Sequence, residues 1–394
     1  GKPTASTSTP MTISADGVRA KRQAYVVTGG GTAGHVLPGL AVADALVAKG
    51  VDPKLIHYVG SRRGFEVKAL ALSPYPFLAL PGRGIRRSFH PVAIFENLFA
   101  LIGLGVAVLH ALISLGRWRP RVVVSLGGYA AFPASLAAVM LRRPLVLVNV
   151  DAVAGAVNRL MARFAVASAV ALPDTDLPRP ILTGAPLRKV FDDVSRTQEG
   201  QDAARKRLGI REGTVIAVVG GSLGAGALNE LVADIAKTWK PKSATMIYHV
   251  TGNRFADSLR AEANNAPPDA NLTWRLVGFE EQMLDLYLAS DLVISRAGAM
   301  TVAELAATGS PSLLAPLPGA PNDHQRHNAE RLASHGAAKI IDLRMPSAAI
   351  AIAAEIDLLL ADRSFLAQMS RCARALAPHD AAGAIAELVE RSGR

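Results

Sequence analysis

A single cysteine, Cys372, stands among 394 residues. That excludes an intrachain disulfide and any cluster of thiolate metal ligands, and it fits a reducing compartment. Aromatic residues are only 5% of a chain that is 50% hydrophobic, so the apolar bulk is aliphatic. Acids are also short: 32 Asp and Glu stand against 43 Lys and Arg. The resulting net charge of +11 points to an anionic partner, whether nucleotide, nucleic acid or acidic membrane surface, with plainly solvated basic faces as the alternative. Residues 1–22 are rich in Ser, Thr, Pro and Ala, lack an apolar core of signal-peptide length, and read as a disordered leader.

What is present is length. Single cores rarely grow past about 250–300 residues, so two domains are expected. An apolar strand beginning at Ala24 runs into Thr28-Gly29-Gly30-Gly31-Thr32-Ala33-Gly34-His35. Pro38 and the run Gly39 to Ala48 then read as a helix stopped at Gly50, because proline suits a first helical turn and glycine a stop. Glycines let backbone N–H groups approach a ligand, and the helix start favours an anion; a tight turn without a ligand is the alternative. A second strand, Leu55 to Val59, completes a βαβ unit ending at Ser61-Arg62-Arg63.

Pro81 to His90 is a basic loop in which Arg83, Arg86 and Arg87 are placed to meet an anion. Leu98 to Gly116 is apolar enough to span a bilayer. Gly103 and Gly105 weaken that reading and the next strand, Arg121 to Leu126, must return to the same sheet, so a crossover helix is expected, either with an outer face that rests on lipid or a partner or as a plain sheet-covering helix. Gly127-Gly128-Tyr129 is a further glycine turn before a helix at Phe132 to Met140 and a strand at Leu145 to Val150. After a strand at Ser168 to Leu172, Pro173 to Pro186 reads as the interdomain linker. Asp174-Thr175-Asp176 within it sits in a turn and is not taken as a metal site.

The architecture then starts again. A polar helix at Gln201 to Leu208 leads to strand Thr214 to Val219, loop Gly220 to Gly226 and helix Ala227 to Ala236. Two strand–glycine–helix beginnings argue for an α/β chain of two doubly wound Rossmann-like domains with a ligand cleft between them. Strands at Thr245 to Val250 and Leu272 to Val277 fill the second sheet, and Asp291 to Ser295 enters Arg296-Ala297-Gly298-Ala299-Met300 and a helix ending at Gly309. Glu304 in that helix is either the acid of a capping box opened by Thr301 or an acceptor for vicinal ribose hydroxyls. A strand at Ser312 to Leu317 leads by a turn to Gln325 and Asn328; His324 and His327 beside them read as solvated rather than metal-binding. The expected units are 23–186, 187–370, and a C-terminal helix within 371–394 that returns to brace the first domain.

Residues 29–35 with Pro38 to Ala43, Gly127-Gly128-Tyr129, Gly220 to Ala225 and Arg296 to Glu304 together closely resemble the MurG family. These are bacterial transferases that add N-acetylglucosamine from UDP-GlcNAc to the polyprenyl-pyrophosphate-linked muramyl-pentapeptide of peptidoglycan synthesis. The resemblance implies a GT-B fold, inversion at the anomeric carbon, no metal, no cofactor, and peripheral residence on the cytoplasmic face of the cell membrane. Its partners would be UDP-GlcNAc, the lipid-linked acceptor and an anionic membrane surface, with no nucleic acid.

Carried over by position, Ser222 would hold the diphosphate and Glu304 the ribose, with the backbone near Phe279 and Glu280 on uracil. The helix start Ala299, Met300, Thr301, Val302 and Ala303 would face the phosphates. Gln325 with Asn328 would contact the sugar, and Arg188 the nucleotide. Thr32, Ala33, Gly34 and His35 would reach into the cleft from the first domain. His35 is the expected general base, with a positional role as the alternative. The family's usual glutamate and asparagine before Ala154-Gly155 are here Asn149 and Asp151, which alters acceptor handling and leaves a related transferase with another lipid acceptor, or a non-catalytic UDP-sugar binder, as alternatives. Gly29, Gly31 and Gly34 also match a dinucleotide fingerprint, but the acid expected at the second strand's end is replaced by Ser61-Arg62-Arg63.

Overall fold

Both glycine-ended apolar runs become central strands. The computed structural model describes residues 23–81, 91–211, 213–221, 224–265 and 269–393, with the side chains of 91–99 excepted. The leader and the loop holding Arg83, Arg86 and Arg87 lie outside the described residues. The first half runs β1 (Tyr25–Thr28), α1 (Ala33–Ala48), β2 (Ile56–Ser61), α2 (Phe65–Ala71), β3 (Phe77–Leu80), α3 (Pro91–Trp118), β4 (Val123–Ser125), α4 (Phe132–Met140), β5 (Leu145–Asn149), α5 (Ala156–Met161), β6 (Ala167–Val170) and β7 (Pro180–Leu182). The second runs α6 (Gln198–Arg207), β8 (Thr214–Val219), α7 (Gly226–Thr238), β9 (Thr245–Val250), α8 (Ala256–Asn265), β10 (Leu272–Val277), α9 (Met283–Ala289), β11 (Leu292–Ser295), α10 (Ala299–Thr308), β12 (Ser312–Leu314), α11 (His324–Ala333), β13 (Ala338–Ile340), α12 (Ala348–Ala361) and α13 (Arg363–Ala375). A last helix, α14 (Ala381–Ser392), follows.

Each half carries one parallel sheet, ordered β3-β2-β1-β4-β5-β6-β7 and β10-β9-β8-β11-β12-β13. Val27 on β1 lies opposite Tyr58 on one side and Val124 on the other, which fixes the first register. Strand order reverses between β1 and β4, and again between β8 and β11, so the glycine turns after those strands line the two crevices where doubly wound sheets bind ligands. Helices bury both faces of each sheet, which is why β8 is buried at every position and apolar from Val215 to Val219.

Three expectations are corrected. Helix α1 starts at Ala33, not Pro38, so Ala33, Gly34 and His35 form its first turn and Pro38 lies inside it, leaving the Gly34 carbonyl without its usual i+4 donor. The Pro173–Pro186 passage is not all linker, because β7 pairs with β6 as an edge strand; Pro180 is tolerated as its first residue. The crossing of the C-terminal segment falls after Ala375, since Met369 and Ala373 in α13 still pack into the second half. Ile385, Ala386, Leu388 and Val389 of α14 join the first half's core beside Val36 and Leu46. Arg121 Nη2 donates to the Glu390 carbonyl at 3.3 Å.

Helix α3 spans the stretch read as an apolar crossover. Ala107, Ala111 and Leu115, one helical turn apart, are fully buried against the sheet, while Leu101, Ile102, Val106, Leu109 and Ile113 are exposed. Only 22% of the apolar window at Ala100–Trp118 is buried. Leu115→Ala is expected to cost about 2–5 kcal/mol, whereas Leu109→Ala, at a residue 59% exposed, should change stability by no more than about 0.5 kcal/mol. Urea unfolding of both variants checks that the outer face is not holding the fold together.

Candidate functional site

The first half brings three turns together around His35. Gly29 to Gly31 turn the chain out of β1, and Thr32 precedes α1 with extended backbone but makes no side-chain cap. Thr32 Oγ1 instead lies 3.3 Å from His35 Nδ1. Gly128, at φ +75°, lets the turn after β4 lie against this loop: a Cβ there would stand 2.9 Å from the Gly30 carbonyl oxygen and 3.4 Å from His35 Nδ1. The third turn follows β5. Buried Asn149 donates through Nδ2 to the Asp151 carbonyl at 2.7 Å and accepts from Asn158 Nδ2 at 3.2 Å, a pairing that shapes the turn presenting Asp151.

Burial lowers the His35 pKa from its ordinary value. The Asp151 and Glu66 carboxylates pull it back up, and His324 pushes it down again. The ring is therefore neutral at neutral pH, with one nitrogen free to accept a proton.

The second half assembles a separate set. Helix α10 begins at Ala299 with Gly298 as its N-cap and, among the described residues, no side chain bonded to its first amides, so among those residues the N–H groups of Ala299, Met300 and Thr301 stand open. This disposes of the capping-box alternative, because Thr301 lies inside the helix. Glu304 accepts from the Tyr287 hydroxyl at 3.2 Å. Burial pushes its pKa up to about 7, against the pull of the Arg188 guanidinium and the Tyr287 hydrogen bond. Among the described residues, Arg188 Nε is buried without a hydrogen-bond partner.

At the second glycine turn, Gly224 donates its N–H to the Gly221 carbonyl at 3.0 Å. The reading for Ser222 lies outside the described residues. The Glu280 carboxylate is engaged locally, its oxygens accepting from Tyr248 Oη at 2.6 Å and the Gln282 N–H at 2.7 Å, while Phe279 beside it is exposed. Gln325 Oε1 accepts the Leu317 N–H at 2.9 Å and so pins the turn ahead of α11.

The halves meet at Asn328. Its Nδ2 donates to Asp151 Oδ1 at 3.0 Å and to the Ala297 carbonyl at 3.1 Å, and its Oδ1 accepts the Ala152 N–H at 2.8 Å. Buried and fully engaged, Asn328 clasps the two domains in this conformation rather than offering its amide to a sugar. Ala299, Met300 and Ala303 pack against the first half's core, while Val302 belongs to the core of the second. A cavity of about 230 Å³ lies behind this contact, lined by Leu172, Leu182, Val302, Ala306 and Leu376; neither His35 nor Glu304 borders it.

Thus Thr32, Ala33, Gly34, His35, Asp151 and Asn328 come together, as do Arg188 and Glu304, while the Glu280 carboxylate is engaged locally. Sequence reasoning missed Glu66 and Tyr287. Tyr287 sits in an apolar helical run that reads as core, and its only signal was the hydroxyl; Glu66 was a lone acid just beyond the basic Arg62-Arg63.

Residues 25–170 match the glycosyltransferase family 28 N-terminal domain and residues 215–386 the glycosyltransferase family 28 C-terminal domain. The UDP-N-acetylglucosamine--N-acetylmuramyl-(pentapeptide) pyrophosphoryl-undecaprenol N-acetylglucosamine transferase of Desulforudis audaxviator is 33% identical over 93% of this chain and 97% of its own. The enzyme of the same name from Burkholderia vietnamiensis is 37% identical over 94% and 96%. Among solved structures, Acinetobacter baumannii MurG superposes with a TM-score of 0.70 at 30% identity, covering 93% of this chain and 99% of that one. The glycosyltransferase of kitacinnamycin, at 17% identity and a TM-score of 0.68, shares the fold.

Proposed function

The chain belongs to glycosyltransferase family 28, with the GT-B fold and MurG transferases as its relatives, and from that premise we propose that it transfers N-acetylglucosamine from UDP-GlcNAc to the C4 hydroxyl of a polyprenyl-pyrophosphate-linked N-acetylmuramyl-pentapeptide. The observation that supports the site assignment is the meeting, across one clasped cleft, of a neutral imidazole on the first glycine turn with a buried carboxylate and an uncapped helix start on the second domain.

In this reading the acceptor hydroxyl gives its proton to His35 as its oxygen attacks the anomeric carbon from the face opposite UDP. The bond from that carbon to the diphosphate oxygen breaks, and UDP leaves with the electron pair, inverting the centre. Amides at the start of α10 and in the second glycine turn stabilise the charge growing on the diphosphate, a task that dipoles in a water-poor cleft perform without a cation or cofactor. Glu304 accepts from the ribose hydroxyls, with Arg188 beside it, and the backbone at Phe279 and Glu280 meets uracil. Gln325, close to the boundary of the halves, contacts the sugar. Product analysis after mixing the protein with UDP-GlcNAc and a synthetic lipid-linked muramyl peptide tests the reading: a disaccharide-bearing lipid supports it, and binding of UDP-GlcNAc without turnover defeats it.

The acceptor's lipid tail gives the exposed apolar face of α3 a use. Leu101, Ile102, Val106, Leu109 and Ile113 rest on the cytoplasmic face of the cell membrane, and the net positive charge of +11 draws the protein to anionic headgroups. The protein is expected to float with anionic vesicles at low salt and to leave them near 1 M salt, where the screening length falls to about 3 Å. Retention at every salt concentration would mean that α3 inserts.

A further inference from the structure

Glu66 takes no part in the transfer just described, yet it is fully buried. Its Oε2 accepts the Gly31 N–H at 3.0 Å and its Oε1 the Ser61 N–H at 3.0 Å, so both oxygens are spent on backbone donors at the ends of β1 and β2. Glycines clear the space: a Cβ on Gly30 would stand 2.4 Å from Oε1, one on Gly64 2.5 Å from Oε2, and one on Gly60 3.2 Å from Cγ. Amides of a glycine turn after the first strand of such a sheet are the groups that would otherwise receive a ligand's phosphate. Here a carboxylate from α2 has reached one of them, the Gly31 N–H, from inside, and ties it to the Ser61 N–H at the end of β2. By contrast, a Cβ on Gly221 in the second glycine turn meets nothing within 4 Å among the described residues.

We infer that Glu66 is an internal anion that takes the place of a phosphate at the Gly31 amide of the first glycine turn, fixes that turn together with Thr32 and the helix start carrying His35, and so leaves the second turn to take the donor's diphosphate. The effect on turnover rests on the proposed function of His35; the filling of the turn does not. Charge-assisted hydrogen bonds from the Gly31 amide of the turn and the Ser61 amide of β2 tie the turn to the neighbouring strand more firmly than water would. A second anion in the same place meets both a filled cavity and a like charge, which also removes the first turn as a dinucleotide site. Glu66 acts as a positioning residue. The charged and titratable groups around His35 are Asp151 from the turn after β5, Glu66 from α2 and His324 from α11.

Glu66→Gln keeps the shape but sets an amide NH₂ against one of the two backbone donors. With the full-length protein, UDP-GlcNAc and the lipid-linked acceptor, kcat is expected to fall about 30-fold as the loop shifts. The KM for UDP-GlcNAc should stay within about twofold. The acid limb of kcat/KM should move to lower pH, because one of the two carboxylates favouring the imidazolium is gone. Wild-type kcat with an unmoved limb, or a donor KM that rises as kcat falls, would overturn the inference. In Glu66→Ala, formate is expected to enter the vacated position, restore part of kcat and raise the thermal midpoint, while leaving wild type unchanged. A folded Glu66→Ala protein indifferent to formate also overturns it, and if that variant does not fold the Gln variant decides. The thermal readout needs no turnover: if His35→Ala keeps full kcat, the base assignment fails and formate stabilisation still judges the filled turn.

Discussion

His35→Ala is expected to lower kcat by about 10²–10⁴-fold while the KM for UDP-GlcNAc stays within a factor of about two. Glu304, Arg188 and the start of α10, proposed above to hold the donor, lie on the other domain, so on that proposal removing the imidazole takes away only the group that acts on the acceptor proton. The pH profile follows from the same surroundings. Burial, the largest effect on His35, holds its pKa below 6.5, with Asp151 and Glu66 opposing and His324 assisting. The base is lost as pH falls through that lowered pKa, so the acid limb of wild-type kcat/KM, which reports the free enzyme, lies below pH 6.5. The same sign governs stability: a histidine whose folded pKa is depressed contributes stability above its unfolded value that is lost as pH falls toward the folded one. Steady-state kinetics with both substrates separates the roles, since equal losses in kcat and in affinity would assign His35 to holding the loop or the acceptor's pyrophosphate.

Much of the scaffold was legible because parallel strands buried on both faces write themselves as apolar runs. Thr214–Val219, Thr245–Val250, Leu272–Val277 and the helix Phe132–Met140 fall where the residues place them, and Gly309 ends α10 in the left-handed conformation its identity suggests. The start of α1 was misjudged because Pro38 was weighed as a first-turn signal; the loop geometry around Gly31 sets the start, and the helix accepts one lost hydrogen bond. The edge strand at Pro180–Leu182 was hidden by prolines that only an edge permits. What was legible around the candidate site is local: residues 32–35 and 299–304 fall where a glycine-rich turn after a central strand enters a helix, as their sequence suggests. The site was not legible where it depends on pairing across the chain: Asn328 reaches Asp151 over 177 residues, and Glu66 closes the first glycine turn through hydrogen bonds that no periodicity announces. Asn149 and Asp151, read as departures from the family pattern, turn out to share a turn in which one amide supports the other residue's backbone while its carboxylate meets Asn328.

Glu304→Ala is expected to weaken UDP binding by about 2–4 kcal/mol, or roughly 30- to 1,000-fold in Kd, because two hydroxyl donors lose a charged acceptor and Arg188 loses its counter-charge. Its pH dependence is the sharper test. With a pKa pushed up to about 7 by burial, Glu304 is partly protonated in the free protein at neutral pH. Ribose hydroxyls bond best to the ionised form, so binding draws the pKa down and releases a proton. Affinity for UDP should therefore rise with pH up to about 7 and level off above it, falling about tenfold per unit well below that value. Calorimetry in two buffers of different ionisation enthalpy measures the proton directly. The free protein shows the mirror image: a carboxyl whose folded pKa is raised favours the folded state below its ordinary value near 4.5, and that contribution is lost as pH climbs to about 7. UDP, by binding the ionised form, should restore it, so the thermal shift given by the nucleotide should be larger at pH 8 than at pH 6. A shift that is the same at both values, or one that Glu304→Ala leaves intact, would place the ribose elsewhere.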